Sequence, residues 1–247
     1  MRAFQISIGL VLLGVATSPS SAAEPSRVVL IGDSITAGKV SGEAGPGYAD
    51  VLAVQLGAAY VVSNQGCGGS RLSDWRPDSP AAICGNGVFE LWEERVTPNL
   101  PAELVTVMLG TNDATGFLPL RPSQPVPVEE YAAALSKIVN ALRDAGARRV
   151  LLMTPPPRCE TASKATLDRL KGYRREVLAT CATTPEVVCG PDAYALLDPA
   201  EHFEACDAHP NATGHATLGK QLAHQVKKLP VRQSSSWSLR SWFHRRK

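Results

Sequence analysis

The sequence predicts an α/β fold in which helices cover both faces of a mainly parallel sheet, a three-layer α/β/α sandwich. The first observation is that successive apolar, often β-branched residues form short runs that end at a glycine or a polar residue. Such continuous runs are typical of strands buried on both faces. The runs are RVVLIG (27–32), YVVSN (60–64), LVTVMLG (104–110) and RRVLLMT (148–154).

The second observation is that helical patterns alternate with these runs. Residues 47–57 and 128–146 carry apolar side chains at helical spacing and each segment ends at a glycine, as helices often do. The segments 167–181 and 213–229 repeat the pattern. Alternating strands and helices predict the layered parallel sheet. Ligands of such sheets lie beyond the carboxyl ends of the strands, so the residues that follow each strand are the candidates for chemistry.

Composition limits both the domain organisation and the function. A chain of 247 residues with 44% apolar residues is long enough for one sizeable core. The formal net charge of +2 is too small to indicate a nucleic-acid partner. Six cysteines fit up to three disulfides in an oxidising compartment, and the simplest pairs are the neighbours Cys67 with Cys84 and Cys181 with Cys189. No C-x-x-C pair occurs, so a metal site is not favoured.

Both ends of the chain differ from its centre. Residues 1–23 combine Arg2, an apolar run and small residues before Ala23, which is typical of a signal peptide cleaved after Ala23. The alternative, an uncleaved anchor, has an apolar run short of the roughly 20 residues that span a membrane. Residues 230–247 are basic and serine-rich and predict a flexible tail, or else a segment that makes weak contact with an anionic membrane surface. The domain between them is 24–229, and the protein is expected to be secreted or periplasmic.

Three polar groups follow the predicted strands. Ser34, in GDSIT, lies between a strand and a predicted helix start, where backbone amides stabilise negative charge; the alternative is an ordinary helix N-cap. Gly69, in NQGCGGS, offers a backbone amide donor, and Asn112, in GTND, offers a side-chain amide. Taken alone, the glycine motif is better explained by a simple turn, and Asn112 is also consistent with an ordinary turn residue.

The stretch DAHPNATGH (207–215) adds a candidate base. Nucleophilic acyl transfer requires a hydroxyl, a base within hydrogen-bond reach and donors for the oxyanion. Ser34, His209, Gly69 and Asn112 together supply all three. His215 lies in the last predicted helix and is interpreted as a packing or surface residue.

The motifs IGDSITAG, NQGCGG, GTND and DAHPN resemble the first, second, third and fifth sequence blocks of the SGNH (GDSL) hydrolase family. The resemblance implies a flavodoxin-like α/β/α fold and a serine esterase or lipase that needs no metal or other cofactor. Matched position by position, it implies that Ser34 is the nucleophile and a backbone oxyanion donor, and that His209 is the base. The other oxyanion donors fall on Gly69, five residues after Asn64, and on Asn112.

The acid departs from the family pattern. The family usually has an aspartate three residues before the histidine, where this chain has Cys206, whereas Asp207 stands two residues before it. Three alternatives remain open. Asp207 reaches His209 through a shifted loop, with Cys206 in a disulfide; a backbone carbonyl orients the imidazole; or Asp198 or Glu204 replaces the missing acid. Geometry decides between them.

The substrate is less well defined by the sequence. Short-chain esters of carbohydrates, acetyl esters above all, are the first hypothesis, and a lysophospholipase or arylesterase acting on lipid esters is the alternative. An acyltransferase and a non-catalytic glycan-binding module on the same fold are further alternatives. The segments 75–96 and 114–130 are expected to line the cleft, where Trp75, Trp92 and Phe117 offer apolar surface. All three aromatic residues are equally consistent with core positions, and for Trp92 the core position is preferred.

Overall fold

A five-stranded parallel sheet forms the centre of the computed structural model, which describes residues 24–84, 87–117, 123–159, 162–205 and 207–230. The predicted signal peptide and nearly all of the predicted tail lie outside the described residues. The strands are β1 (Ser26–Gly32), β2 (Tyr60–Asn64), β3 (Ala82–Cys84), β4 (Gly87–Phe89), β5 (Leu104–Met108), β6 (Val150–Met153) and β7 (Val187–Cys189). The helices are α1 (Tyr48–Leu56), α2 (Thr111–Thr115), α3 (Val128–Asp144), α4 (Lys164–Thr183), α5 (Ala193–Leu196) and α6 (Ala212–Lys228).

The order of strands in the main sheet is β2-β1-β5-β6-β7. All neighbouring pairs are parallel, with Val28 opposite both Val62 and Leu104 and Val150 opposite both Val105 and Val187. In chain order this arrangement is 2-1-3-4-5, which is the flavodoxin-like order. The predicted fold class is therefore confirmed.

The three central strands, β1, β5 and β6, are buried on both of their faces. On β1, Val29 and Ile31 pack in the cluster that includes the apolar side chains of α3 and α4, whereas Val28 and Leu30 pack in the cluster that includes those of α1 and α6. Successive residues of a strand point to opposite faces. A strand covered on both sides therefore requires the unbroken apolar runs seen in the sequence.

Three parts of the fold differ from the sequence prediction. The short edge strand β7 and the antiparallel pair β3–β4 were not predicted. The helix predicted directly after Ser34 is wrong: residues 34–38 form a turn and the first helix begins at Tyr48. The turn closes with a hydrogen bond from the Ala37 N–H to the Asp33 carbonyl (2.9 Å), and Gly38, at a φ of 92°, prevents further helical turns.

The two neighbouring disulfides predicted from the sequence are present. Cys67 is bonded to Cys84 and Cys181 to Cys189. Cys159 is also disulfide-bonded, and Cys206 lies outside the described residues. Within the described ranges, no helix has the length and apolar character to cross a membrane.

Candidate active site

Ser34 lies at the carboxyl end of β1, in a tight turn that two glycines make possible. A Cβ atom at Gly32 would lie 1.9 Å from Thr36 Oγ1, and one at Gly66 would lie 2.2 Å from the Ala37 nitrogen. Such distances exclude any side chain at these positions. The glycines therefore allow the loop after β2 to contact the turn that carries Ser34.

His209 lies between Ser34 and Asp207. Its Nε2 is 2.8 Å from Ser34 Oγ, and its Nδ1 is 2.6 Å from Asp207 Oδ1. The same Asp207 oxygen also accepts the backbone N–H of His209 at 3.0 Å. Aspartate often accepts the amide two residues later in this kind of turn, and the turn directs the carboxylate to the ring despite the shortened spacing.

The other proposed acids are engaged elsewhere. Asp198 Oδ1 accepts the Ala200 N–H at 2.7 Å, and Glu204 Oε1 lies 3.5 Å from Asn211 Nδ2. Because Asp207 occupies Nδ1 of His209, the ring has no need of a backbone carbonyl. Of the three alternatives, the geometry matches the first, a hydrogen bond from the histidine to Asp207.

The glycine loop, residues 65–70 after β2, brings Gly69 to the same edge of the sheet as Ser34. Gly69 has a φ of 88°, a left-handed conformation that favours glycine. At the adjacent Gly68, a Cβ atom would lie only 3.8 Å from Ser34 Cβ. In the part of the chain that the structure describes, no acceptor takes the backbone N–H of Ser34 or that of Gly69. Within those residues, both amides are available to an oxyanion.

Asn112 lies on α2, directly after β5, beside this loop. Its Nδ2 donates to the Ser70 carbonyl at 2.8 Å, so the side chain fixes the residue that follows Gly69. An asparagine amide carries two N–H donors, which leaves one for another acceptor. The indole of Trp75 donates to Ser70 Oγ from behind (3.0 Å).

Two of the three aromatic residues expected near the cleft belong to the core. Trp75 is fully buried, so the core position is the one of its two interpretations that is observed, and its indole donates to Ser70 of the glycine loop. Trp92 packs against the core cluster, which was the other interpretation offered for it. Phe117 is 53% exposed and is the most exposed of the three.

Electrostatics favour the neutral form of His209. Burial lowers the pKa of His209; the hydrogen bond and charge of Asp207 raise it, and the positive charges of Lys39 and Arg158 lower it further. The net direction is down, so the ring is free to accept a proton at neutral pH. For Asp207, burial raises the pKa, but its hydrogen bonds with His209 outweigh that effect and the pKa falls.

Two buried carboxyl groups are direct neighbours of candidate site residues: Asp33 precedes Ser34, and Asp113 follows Asn112. Burial raises the pKa of Asp33 to about 7 and that of Asp113 to about 7. Asp33 accepts the Ile35 N–H at 3.0 Å, and both oxygens of Asp113 accept the Leu72 N–H, at 3.2 and 3.3 Å. These contacts shape the backbone around Ser34 and the glycine loop.

His215 has a structural environment. It is fully buried, its Nδ1 accepts the Tyr48 N–H at 3.0 Å, and its Nε2 lies 3.0 Å from the Lys39 carbonyl. An acceptor at Nδ1 requires the proton to be on Nε2, which then donates to Lys39. Of the two sequence interpretations, the packing role is the one observed.

Several residues near the site were not identified from the sequence. The positive charges of Lys39 and Arg158 lower the pKa of His209. Arg95 donates to two carbonyls of the glycine loop. None belongs to a recognisable motif, because isolated cations in loops resemble any solvated surface residue. Only the tertiary arrangement reveals them.

This chain is similar in sequence to known proteins. A sequence profile of the GDSL-like lipase/acylhydrolase family matches residues 30–217. The isoamyl acetate-hydrolyzing esterase 1 homolog of Rattus norvegicus is 37% identical over 153 residues, which are 61% of this chain and 55% of the rat protein. The Homo sapiens homolog is 31% identical over 192 residues, 72% of this chain and 71% of the human protein. The chain therefore spans little more than half the length of the rat relative.

Solved structures share the fold at lower identity. An aryl esterase from M. smegmatis has a TM-score of 0.63 at 23% identity, covering 83% of this chain and all of that one. A carbohydrate acetylesterase from Sinorhizobium meliloti has a TM-score of 0.64 at 22% identity, with 83% and 100% covered. A catalytic mutant of an acetylxylan esterase from Geobacillus stearothermophilus has 0.62 at 22%, with 84% and 96% covered.

Proposed function

We propose that this chain, which belongs to the GDSL-like lipase/acylhydrolase family, is a carboxylic ester hydrolase that forms an acyl-enzyme on Ser34. The observation that carries the proposal is the chain of hydrogen bonds from Ser34 Oγ through His209 to Asp207, with distances of 2.8 and 2.6 Å. A hydroxyl, a base and an acid in this order activate a serine for attack on a carbonyl.

In the first half-reaction, Ser34 Oγ attacks the ester carbonyl carbon while His209 Nε2 takes the hydroxyl proton. Asp207 accepts the hydrogen bond from Nδ1–H and stabilises the imidazolium. The tetrahedral intermediate collapses when His209 gives its proton to the leaving alcohol. In the second half-reaction, His209 removes a proton from water, which attacks the acyl-enzyme, and the carboxylic acid leaves as Ser34 recovers its proton.

The oxyanion is stabilised by three donors: the Ser34 N–H, the Gly69 N–H and the side-chain amide of Asn112. The backbone amides have no acceptor within the described residues, and the Asn112 amide is held by the Ser70 carbonyl. Donors fixed in advance are the most effective, because they need no reorganisation when the charge develops.

The favoured substrates are short acyl esters, acetates above all. The relatives in rat and human are named for isoamyl acetate, and two structural neighbours are a carbohydrate acetylesterase and an acetylxylan esterase. The acetyl group is common to these names, whereas the alcohol differs. We propose a carbohydrate acetate as the first candidate substrate, in keeping with the names of the two structural neighbours. A small alkyl acetate is the second candidate, in keeping with the names of the sequence relatives.

The site of action proposed is outside the cytoplasm. The two disulfides are of the kind that persists in oxidising compartments, and residues 1–23 have the sequence pattern of a signal peptide. Mass spectrometry of the protein recovered from the secreted or periplasmic fraction tests this directly. A mature N-terminus at Glu24 supports export, whereas full-length protein in the cytoplasm contradicts it.

Hydrolysis of p-nitrophenyl acetate, butyrate and decanoate by the oxidised protein tests the acyl preference. We expect the highest kcat/KM on acetate or butyrate and no turnover above background for Ser34→Ala. Isoamyl acetate and acetylated xylo-oligosaccharides, compared at equal concentration, then separate the two alcohols. Turnover greatest on decanoate would instead indicate the lipid-esterase alternative. Glycan binding without turnover of any ester would indicate the non-catalytic one.

The acyltransferase alternative has its own test in the same assay. Added alcohols, among them xylose, compete with water for the acyl-enzyme in proportion to how well they bind. Release of free acetate in a one-to-one ratio with p-nitrophenol supports hydrolysis. Release of p-nitrophenol in large excess over acetate, with acetylated alcohol as the other product, supports transfer.

A further inference from the structure

The segment between β2 and β5 contains the glycine loop and then a region that folds back onto it. The loop comprises residues 65–70. The region that folds back contains the pair β3–β4 and a π-helical turn at Trp92–Val96. This second part contributes none of the proposed catalytic groups, yet it contacts the loop at two points.

The first contact is covalent. Cys67 lies in the middle of the glycine loop, two residues before Gly69, and is fully buried. It is bonded to Cys84, the last residue of β3. The loop is thereby fixed to a strand pair in which Ala82 lies opposite Phe89.

The second contact is a guanidinium group. Arg95 Nη1 donates to the Gly66 carbonyl at 2.8 Å and lies 3.4 Å from the Gln65 carbonyl. Its guanidinium carbon lies 4.5 Å from the centre of the Phe89 ring, a cation–π distance. Arg95 therefore links the carbonyls of the loop to β4.

The backbone of Arg95 is also held in place. Asn99 Nδ2 donates to the Arg95 carbonyl at 2.8 Å, and Asn99 Oδ1 accepts from Ser63 Oγ on β2 at 2.7 Å. Ser63 Oγ in turn accepts from Gln65 Nε2 at 2.9 Å. These hydrogen bonds connect β2 to the π-helical turn and the π-helical turn to the start of the loop.

A loop containing Gly66, Gly68 and Gly69 has a large conformational freedom to lose. The amide of an oxyanion donor must nevertheless remain close to its productive position, because a displacement of about 1 Å reduces the rate strongly. On the inner side the loop is held by the Cys67 N–H, which donates to the Gly32 carbonyl at 2.8 Å. The disulfide and Arg95 add two contacts from the region that folds back onto the loop, and both oppose displacement of the loop.

We propose that the Cys67–Cys84 disulfide and Arg95 are positioning elements that fix the Gly69 amide for oxyanion binding. The inference rests on the proposed function, since it assigns a role in the same reaction. Neither element touches the substrate. Their loss should therefore lower kcat and the affinity for a tetrahedral adduct while leaving KM and the fold largely unchanged.

The experiment compares two pairs of variants on p-nitrophenyl acetate. Cys67→Ser with Cys84→Ser removes the covalent contact. Cys181→Ser with Cys189→Ser is the matched control, because that disulfide joins α4 to β7 at the opposite edge of the sheet from β2. We expect kcat to fall about tenfold in the first pair, less than the roughly 10²–10³-fold loss of a complete oxyanion donor, and to change less than about twofold in the control.

Two substitutions of Arg95 keep the test decisive should the first pair fail to fold. Arg95→Met removes the donors, and Arg95→Lys retains the charge and part of the donation, so we expect about a tenfold loss in kcat for methionine and partial recovery for lysine. Arg143→Met is the control, since Arg143 forms a surface ion pair with Glu186 at 2.9 Å.

The second readout is inhibition by phenylboronic acid, which forms a tetrahedral adduct on a nucleophilic serine and places a hydroxyl in the oxyanion site. Its inhibition constant should rise by the same factor as kcat falls. The inference is overturned if folded Arg95→Met and the Cys67/Cys84 pair retain kcat within about twofold, or if the Cys181/Cys189 control loses as much. The absence of any Ser34-dependent turnover in the parent protein would instead refute the proposed function.

Discussion

Replacing Asp207 by asparagine separates a Ser-His-Asp triad from a dyad. The carboxylate Oδ1 lies 2.6 Å from Nδ1 of His209, and asparagine retains an oxygen that can accept the His209 backbone N–H. The turn should therefore survive the substitution. What is lost is the negative charge opposite the imidazolium that forms in the transition state.

The size of the effect follows from the exposure of the carboxylate. Unit charges about 4 Å apart attract by about 4 kcal/mol at an effective dielectric constant of 20, and by about 1 kcal/mol in water. The Asp207 side chain is 45% exposed, which places the attraction at about 2 kcal/mol. Loss of the hydrogen bond that fixes the tautomer adds about 1 kcal/mol. A total of about 3 kcal/mol corresponds to about 10² in kcat.

The assay is steady-state hydrolysis of p-nitrophenyl acetate by Asp207→Asn, with Asp198→Asn and Glu204→Gln as matched controls. We expect a loss of about 10² in kcat for the first variant at nearly constant KM, and changes within about twofold for the controls. A loss below about threefold for Asp207→Asn would show that the histidine does not depend on this carboxylate. A large loss in Asp198→Asn or Glu204→Gln would identify a different acid.

Three further predictions concern charged and titratable groups. Because the Lys39 charge lowers the pKa of His209, Lys39→Gln should shift the acid limb of the kcat/KM profile to higher pH, and an unshifted limb would contradict this. Burial raises the pKa of Asp33 from 3.8 to about 7, so the parent protein loses stability as the pH rises across that interval. In chemical denaturation, the free energy of unfolding of Asp33→Asn relative to the parent should increase by up to roughly 4 kcal/mol between pH 4 and pH 8. A difference that does not change with pH would refute this. Burial lowers the pKa of His215, so its contribution to stability is present above about pH 6.5 and falls below it. The free energy of unfolding of His215→Leu should be about 1–3 kcal/mol lower than that of the parent at pH 8, because the Tyr48 N–H loses its acceptor. An unchanged denaturation midpoint would show that the hydrogen bond between Tyr48 and His215 contributes nothing.

The central strands could be predicted because burial on both faces requires an unbroken apolar run, which is visible in the sequence of the strand itself. Every residue of β5 is buried, so the run stands out without knowledge of its neighbours. β7 could not be found in the same way. Only Val187 of its three residues is buried, and it becomes a strand because β6 offers it an edge to pair with.

The motifs of Ser34, Gly69 and Asn112 could be located for a related reason: each follows a strand, and parallel strands bring their carboxyl ends together. The choice of acid could not be made, because two residues of spacing are compatible with several turns. The deciding feature is the Asx-type turn in which Asp207 accepts the His209 N–H. The turn after Ser34 was expected to begin a helix, but Gly38 at a positive φ ends it within one turn.

The contacts of Arg95 could not be predicted from the sequence, whereas the Cys67–Cys84 disulfide could. Arg95 is 29 residues from Gly66, whose carbonyl it binds, and its guanidinium lies over the ring of Phe89, which belongs to the β3–β4 pair. No local pattern specifies such a contact. It depends on how the region between β2 and β5 folds back on the glycine loop.

The central claim is that Ser34 carries the acyl group during turnover. Rapid acid quenching of the protein with p-nitrophenyl acetate, followed by peptide mass spectrometry, measures this directly. The account predicts an acetyl group on the peptide that contains Ser34, formed at a rate compatible with kcat and absent from Ser34→Ala and His209→Ala. Acetyl transfer to another residue at that rate, or undiminished turnover by Ser34→Ala, would contradict it.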